Sequence, residues 1–284
     1  MDFVKMQGAG NDFIITWIES WEEADHLQTY AQWLCHRNFG IGADGLITIG
    51  PDPEMDVFMR IFNADGSEPE MCGNGIRCVA RYAYQLGMTH GKRLSVHTLA
   101  GPRYPEIILE DERFFQVKVD MGEPVLERAH IPMDGEGPVV GVQVNIPQQS
   151  LMGTAVSMGN PHFVVFVDDV NQIPVSEWGP LLERHAFFPA RTNVEFVQVL
   201  DEGEMIMRVW ERGAGITLAC GTGACASLVA CVLNHRCGRT AVVHLLGGDL
   251  HIHWNEEDNH VYMSGPAEEV FSGQVDLDGM SRFK

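Results

Sequence analysis

MCGNGIRC (71–78) and ACGTGAC (219–225) each set a cysteine before Gly-x-Gly, and each opens a stretch that reads as a helix. Their cysteines, Cys72 and Cys220, stand 148 positions apart. At the same offset RIFN (60–63) falls on RVWE (208–211), which matches Asn63 with Glu211, and Arg37 falls on His185. One residue further, Gly10-Asn11 falls on Gly159-Asn160. The shared order and near-constant spacing read as two tandem copies of one fold. The boundary is expected near VDMGEPVLE (119–127), where a strand runs into Gly and Pro.

Apolar or alternating runs bounded by Gly, Pro, Asn and Asp predict strands over 12–17, 45–50, 57–63, 93–101, 104–110, 114–122, 141–147, 162–170, 194–200, 205–211, 241–248 and 250–254. Helices are fewer: one closing at AQWLCHRN (31–38), one within SEWGPLLERHAFF (176–188), and one behind each cysteine motif. The first of those places Val79, Ala83 and Leu86 at helical spacing, with Gly87 as its stop. The second, TGACASLVACVLNHRCG (222–238), is apolar on nearly every side, which predicts a buried helix. The expectation is an α/β (α+β) protein of two pseudo-symmetric homologous domains. Each would be a curled, mostly antiparallel sheet around a central helix, with the active site in the cleft between them and the two motifs facing across it.

A chain of 284 residues, 45% hydrophobic and 20% charged, can bury its own core. A net charge of −20 argues against nucleic acid and against an anionic membrane surface as partners. Seven cysteines, an odd number with no CxxC pair, read as reduced thiols of a cytoplasmic protein rather than as a zinc site or disulfide framework. MDFVKMQGAGND (1–12) lacks the apolar core of a secretory signal, and no apolar run is long enough to span a bilayer.

A thiol at a helix start meets outward-pointing N–H groups and the positive end of the macrodipole, which predicts a lowered thiol pKa at both cysteines. The same N–H groups can bind a carboxylate. Two such starts around one α-amino acid would allow one thiolate to remove the α-proton and an opposed thiol to deliver another to the opposite face. That chemistry needs the motif twice, whereas an acyl transferase would need one nucleophile with a histidine. Asn11 and Asn160, as a repeat pair, and Asn63 with Glu211, as another, are candidates to line the site. His162 follows Asn160 closely, and Glu211-Arg212 lies just before Cys220. Cys35, Cys78, Cys225, Cys231 and Cys237 read as inert.

MQGAGNDFI, RIFNADGSEPEMCGNGIRC, TLAG, SMGNPHFVVFVDD, RTNVEFV and VWERGAGITLACGTGACA together closely resemble the diaminopimelate epimerase family, which works without pyridoxal phosphate. The resemblance covers the whole chain in family order. It implies domains at 1–121 and 122–266, with 267–284 returning to the first. It implies Cys72 and Cys220 as the acid/base pair, with His162 and Glu211 supporting catalysis. Asn11, Asn63, Asn160, Asn193, Glu211 and Arg212 would hold diaminopimelate, and backbone groups of Gly73-Asn74 and Gly221-Thr222 would bind its reacting carboxylate. No metal or cofactor is expected, and a homodimer serving lysine and peptidoglycan precursor synthesis is. Two positions depart from the family pattern: Gly45 stands where some relatives carry a substrate-contacting Gln, and Ile216 where many carry Glu. A proline- or histidine-type racemase, a two-cysteine redox protein and a two-lobed binding protein are the alternatives.

Overall fold

The computed structural model describes residues 1–89, 91–111, 114–147 and 149–277. The last residues of the segment expected to return, 278–284, lie outside the described residues. The chain divides into two compact units, Met1–Val119 with Gly265–Lys284, and Asp120–Ser264.

In the first unit, β1 (Asp2–Gly8), β2 (Asn11–Trp17), β3 (Gly45–Gly50), β4 (Val57–Asn63), β5 (Val96–Thr98) and β6 (Gly101–Arg103) lie side by side in chain order. Adjacent pairs alternate, with β2–β3 and β4–β5 parallel and the others antiparallel. The last strand of the chain, Glu268–Gln274, pairs antiparallel with β1. Short helices α1 (Glu23–Gln28) and α2 (Ala31–Leu34) lie between β2 and β3, and α3 (Gly73–Gln85) follows β4. An antiparallel pair, β7 (Glu106–Asp111) and β8 (Phe114–Asp120), ends the first pass through this unit.

The second unit contains β9 (Val142–Ile146), β10 (Gln149–Ser157), β11 (Pro161–Phe166), α4 (Val175–Glu183), β12 (Asn193–Val199), β13 (Glu204–Glu211), β14 (Gly215–Ile216), α5 (Gly221–Leu233), β15 (Thr240–Leu245), β16 (Gly248–Trp254) and β17 (Val261–Pro266). Its sheet runs β9-β10-β11-β12-β13-β15-β16-β17, with β14 paired to β13. Again two parallel pairs, β11–β12 and β13–β15, flank one antiparallel pair, β12–β13. Leu46 pairs with Phe62 in the first unit and Val194 with Trp210 in the second, the same register carried 148 positions along the chain. The repeat read from motifs is therefore also a repeat of strand order, strand direction and register.

Each unit is built on one central helix. On α3 the residues Ile76, Val79, Ala80 and Ala83 are buried against β1, β2, β4 and β7, while Tyr84 and Gln85 face solvent. Leu86, expected on the buried face, is exposed instead. The helix ends at Gln85, and Gly87 takes a left-handed φ of +73°, turning the chain out. Helix α5 is buried almost throughout and packs on strands of its own sheet on both sides of β13. Its lone interior hydroxyl, Ser227, is satisfied by the Gly223 carbonyl at 2.7 Å. Arg77, fully buried on α3, donates to the Pro266 and Gly73 carbonyls, and Arg81 donates to Ala267. These two side chains tie the returning C-terminal strand to the helix.

Five strands carry no clear signal in the sequence, among the described residues: β1, β10, β14, β17 and the last. The last, EEVFSGQ, is mostly exposed, so backbone pairing with β1 holds it rather than a buried face. None of the helices is long and apolar enough to cross a membrane, among the described residues.

Candidate active site

Cys72 and Cys220 are the N-cap residues of α3 and α5, two helices of 13 residues each. Their backbones are nearly superposable, with φ −137° and ψ 118° at Cys72 and φ −129° and ψ 107° at Cys220. Each sulfur accepts the N–H three residues on, from Gly75 or Gly223, at 3.4 Å. The first N–H groups of a helix have no intrahelical acceptor, so those of Gly73-Asn74 and Gly221-Thr222 are available to an anion.

In the first unit, Asn11 Oδ1 accepts from Asn74 Nδ2 at 3.2 Å and lies 3.9 Å from the Cys72 sulfur. A charged network holds that amide. Asn11 Nδ2 donates to Asp44 at 2.7 Å; Arg37 bridges Asp12 and Asp44; Lys5 pairs with Asp12 at 2.7 Å. Burial pushes the Asp12 carboxyl up, but hydrogen bonds from Arg37 and Lys5 outweigh it and hold it at about 2, below its ordinary 3.8. A carboxylate depressed in the folded state contributes stability above its unfolded pKa and loses it as pH falls through the folded value. The unit is therefore expected to lose about 2 kcal/mol from this group between about pH 5 and pH 2. Thermal unfolding followed across that window should fall more steeply for the parent than for Asp12→Asn. Equal slopes would show that the network adds nothing.

Asn63 stands apart from this cluster. It is exposed at the end of β4, donating to Ser67 Oγ at 3.0 Å, and Gly45 pairs opposite it. Gly45 occupies in β3 the place that Asn193 has in β12, since Phe13 pairs with Gly45 as His162 pairs with Asn193.

The second unit gathers more polar groups. His162 Nε2 lies 2.9 Å from Asn160 Oδ1 and its Nδ1 lies 2.7 Å from Glu195 Oε1. Asn193 donates to the Pro161 carbonyl and accepts the Arg212 N–H, both at 2.9 Å. Glu211 accepts from the Thr217 hydroxyl and from the Cys220 thiol. Thr222 Oγ1 lies 3.5 Å from the Cys220 sulfur. Behind them, buried Glu183 takes the Trp210 indole N–H at 2.7 Å and the Gly213 N–H at 3.2 Å, fixing the turn that follows Glu211-Arg212. Ile216, on β14, is half exposed beyond that turn.

Electrostatics correct one expectation. At Cys220 burial, then the Glu211 and Glu195 carboxylates, push the thiol well above its ordinary value, outweighing hydrogen bonds from Thr222 and Gly223. The helix start is present, but burial first and nearby negative charge second defeat it. Burial likewise pushes the Glu211 carboxyl up, against its bonds to Thr217 and Cys220. Among the other thiols, burial holds Cys35 and Cys78 up at about 12, whereas a hydrogen bond from Cys231 lowers Cys237.

Motif and repeat assign no role to Asp12, Asp44, Lys5, Thr217 or Glu195, although Asp12, Thr217 and Glu195 lie within stretches that carry the family resemblance. Glu195 is legible only as a charge inside the apolar strand VEFVQVL. The repeat match of Arg37 with His185 does not extend to role, since His185 accepts the Phe187 N–H instead of joining a charge network.

The family model described as diaminopimelate epimerase matches residues 3–127 and 154–270. The chain belongs to this family. A diaminopimelate epimerase of Moorella thermoacetica is 56% identical over 98% of this chain and 100% of its own length. One of Pelotomaculum thermopropionicum is 55% identical over 96% of this chain and 98% of its own. Among solved structures, a hydroxyproline epimerase from Agrobacterium vitis aligns with a TM-score of 0.70 over 99% of this chain and 92% of its own, at 16% identity. A phenazine-biosynthesis protein of Bacillus anthracis aligns with a TM-score of 0.71 over 98% and 99%, at 15% identity. At such identities the likeness is one of fold, and it agrees with the mixed α/β reading of two sheets and few helices. Membership in the family identifies the chain as an epimerase, an isomerase.

Proposed function

We propose that this chain interconverts L,L- and meso-diaminopimelate by moving the α-proton between Cys72 and Cys220, without a cofactor. The observation that carries the mechanism is the repeated cysteine-capped helix start, equal in backbone conformation, helix length and hydrogen bonding in the two units. Family membership over nearly the full chain supports the substrate.

In the proposed reaction one thiolate takes the α-hydrogen as a proton, and the C–H electron pair spreads into the carboxylate. N–H groups of Gly73-Asn74 and Gly221-Thr222 stabilise the charge that builds there. The other thiol then protonates the same carbon from the opposite face. Cys220, whose proton is held firmly, begins as the donor. The starting protonation state returns when the two sulfurs exchange protons with solvent. Asn11, Asn63, Asn160, Asn193, Glu211 and Arg212 hold the substrate, and His162 orients Asn160. A homodimer, as the resemblance implies, is testable by light scattering on the purified chain.

The test is incubation with L,L-diaminopimelate in deuterated, reducing buffer, followed by chiral separation and mass spectrometry. Deuterium in newly formed meso isomer is expected, and it should persist after dialysis against chelator and treatment with hydroxylamine. Folded protein with free thiols that exchanges no α-proton would remove diaminopimelate as substrate. Exchange with proline or histidine in its place would favour the racemase alternatives.

A further inference from the structure

The two half-sites share a backbone but differ beneath the helix start. A Cβ built on Gly75 would meet Ile47 Cδ1 at 3.0 Å, whereas one built on Gly223 would meet Glu195 Oε1 at 2.7 Å. Ile47 and Glu195 occupy the same place in β3 and β12, 148 positions apart. Where the first unit has a methyl group, the second has a carboxylate. Glu195 and His162 are both 0% exposed. One Glu195 oxygen is held by His162, and the other, Oε2, has no hydrogen-bond partner among the described residues. A buried polar atom left unmet destabilises a fold. Ile47 shows that this architecture accepts an apolar side chain at that position, so packing alone gives no reason for the acid.

We propose that Glu195 is a positioning residue for the proton transfer: it clamps His162 against Asn160 and keeps a proton on Cys220 between turnovers. The inference rests on the two-thiol reading above. Two carboxylates face the Cys220 turn, and a histidine bonds one of them. Glu211 comes from β13 and bonds the thiol directly; Glu195 comes from β12 and lies under Gly223; His162 comes from β11, beside both carboxylates. Gly223 N–H and Thr222 favour a thiolate; burial opposes it most, and the Glu211 and Glu195 carboxylates add to that opposition. Negative charge within a few ångströms in a buried setting favours the neutral thiol. Cys220 thus waits as an acid, and the thiolate formed when it donates is quickly reprotonated.

Glu195→Gln separates this role from a purely structural one, since the amide oxygen can still accept the His162 N–H but the charge is gone. The measurement is alkylation of Cys220 by iodoacetamide as a function of pH, read by mass spectrometry of its peptide. Glu195→Gln should move the Cys220 profile to lower pH and give about tenfold faster alkylation at near-neutral pH, because losing a buried negative neighbour makes the thiol more acidic and the thiolate more abundant. Glu195→Asp, which keeps the charge, should stay close to the parent. A Glu195→Gln profile superimposed on the parent's would overturn the inference, as would an equal shift in Glu195→Asp. Should circular dichroism show Glu195→Gln unfolded, Glu195→Met takes its place with the same two outcomes. Alkylation needs no substrate, so this result stands apart from the deuterium test. Wild-type protein that failed to exchange would overturn the two-thiol reading while leaving the Cys220 profile measurable.

Discussion

Serine at Cys72 or at Cys220 is expected to lower kcat by about 10³-fold while changing KM little, because positioned acid–base groups contribute about 10² to 10⁴ in rate. A hydroxyl is a far weaker acid than a thiol, so serine neither forms the base nor replaces it in the second half of the cycle. Folding should not confound the result. Each sulfur caps its helix by accepting the N–H of Gly75 or Gly223, and serine is among the preferred residues at that position. The melting temperature should therefore hold or rise as activity falls. The surviving thiolate can still remove a proton from its own face. A single-serine variant is accordingly expected to wash deuterium into the substrate isomer whose α-hydrogen faces its surviving thiol faster than it inverts it, and to leave the other isomer nearly unlabelled. Chiral separation with mass spectrometry reads both rates from one sample. Inversion within tenfold of the parent in either variant would remove that thiol from the mechanism.

The second large effect is an alanine that should be tolerated in one unit and damaging in the other. At Gly75 the new Cβ would meet the ends of Ile47, at 3.0 Å, and of Met59, at 3.3 Å, both flexible tips. Alanine is also the better helix former, by about 1 kcal/mol. Gly75→Ala should thus remain within about 1 kcal/mol of the parent. At Gly223 the new Cβ would lie 2.7 Å from Glu195 Oε1 and 3.1 Å from the Cys220 sulfur. Glu195 is anchored by His162 and cannot withdraw without breaking that bond. Gly223→Ala is expected to cost about 1–3 kcal/mol by overpacking. It should also cost about 100-fold in kcat, the scale associated with displacing a reacting group by about 1 Å. Thermal unfolding and steady-state kinetics on the two variants side by side provide the check. Equal tolerance at both glycines would mean that Glu195 is less firmly held than its burial implies.

The two Cys-Gly-x-Gly motifs are sufficient to reveal the duplication, because a backbone that must start a helix at a thiol restricts its neighbours to small residues. Strand periodicity locates most of the strands for a similar reason: alternation survives wherever one face of a sheet is buried. The last strand is hidden because its side chains are mostly exposed and backbone pairing with β1 holds it. By contrast, β1, β10 and β17 bury side chains in stretches too mixed with polar residues and glycine to stand out. Periodicity also misjudges Leu86, since the left-handed turn at Gly87 rather than the helical period decides where that side chain goes.

The sequence by itself determined the repeat, the two cysteine-led helices, the family and the identity of the main candidate residues, all of which are encoded locally in short segments and their order. Only the tertiary structure decided the electrostatics around each thiol. Asp44 reaches Asn11 from a separate segment, with Arg37 bridging Asp44 to Asp12, and Glu195 arrives under Gly223 from a neighbouring strand. A pKa depends on burial and on charges a few ångströms away, and neither distance is written in chain order. For that reason a helix start that looks alike in both motifs carries, at Cys220, a thiol pushed up instead of down.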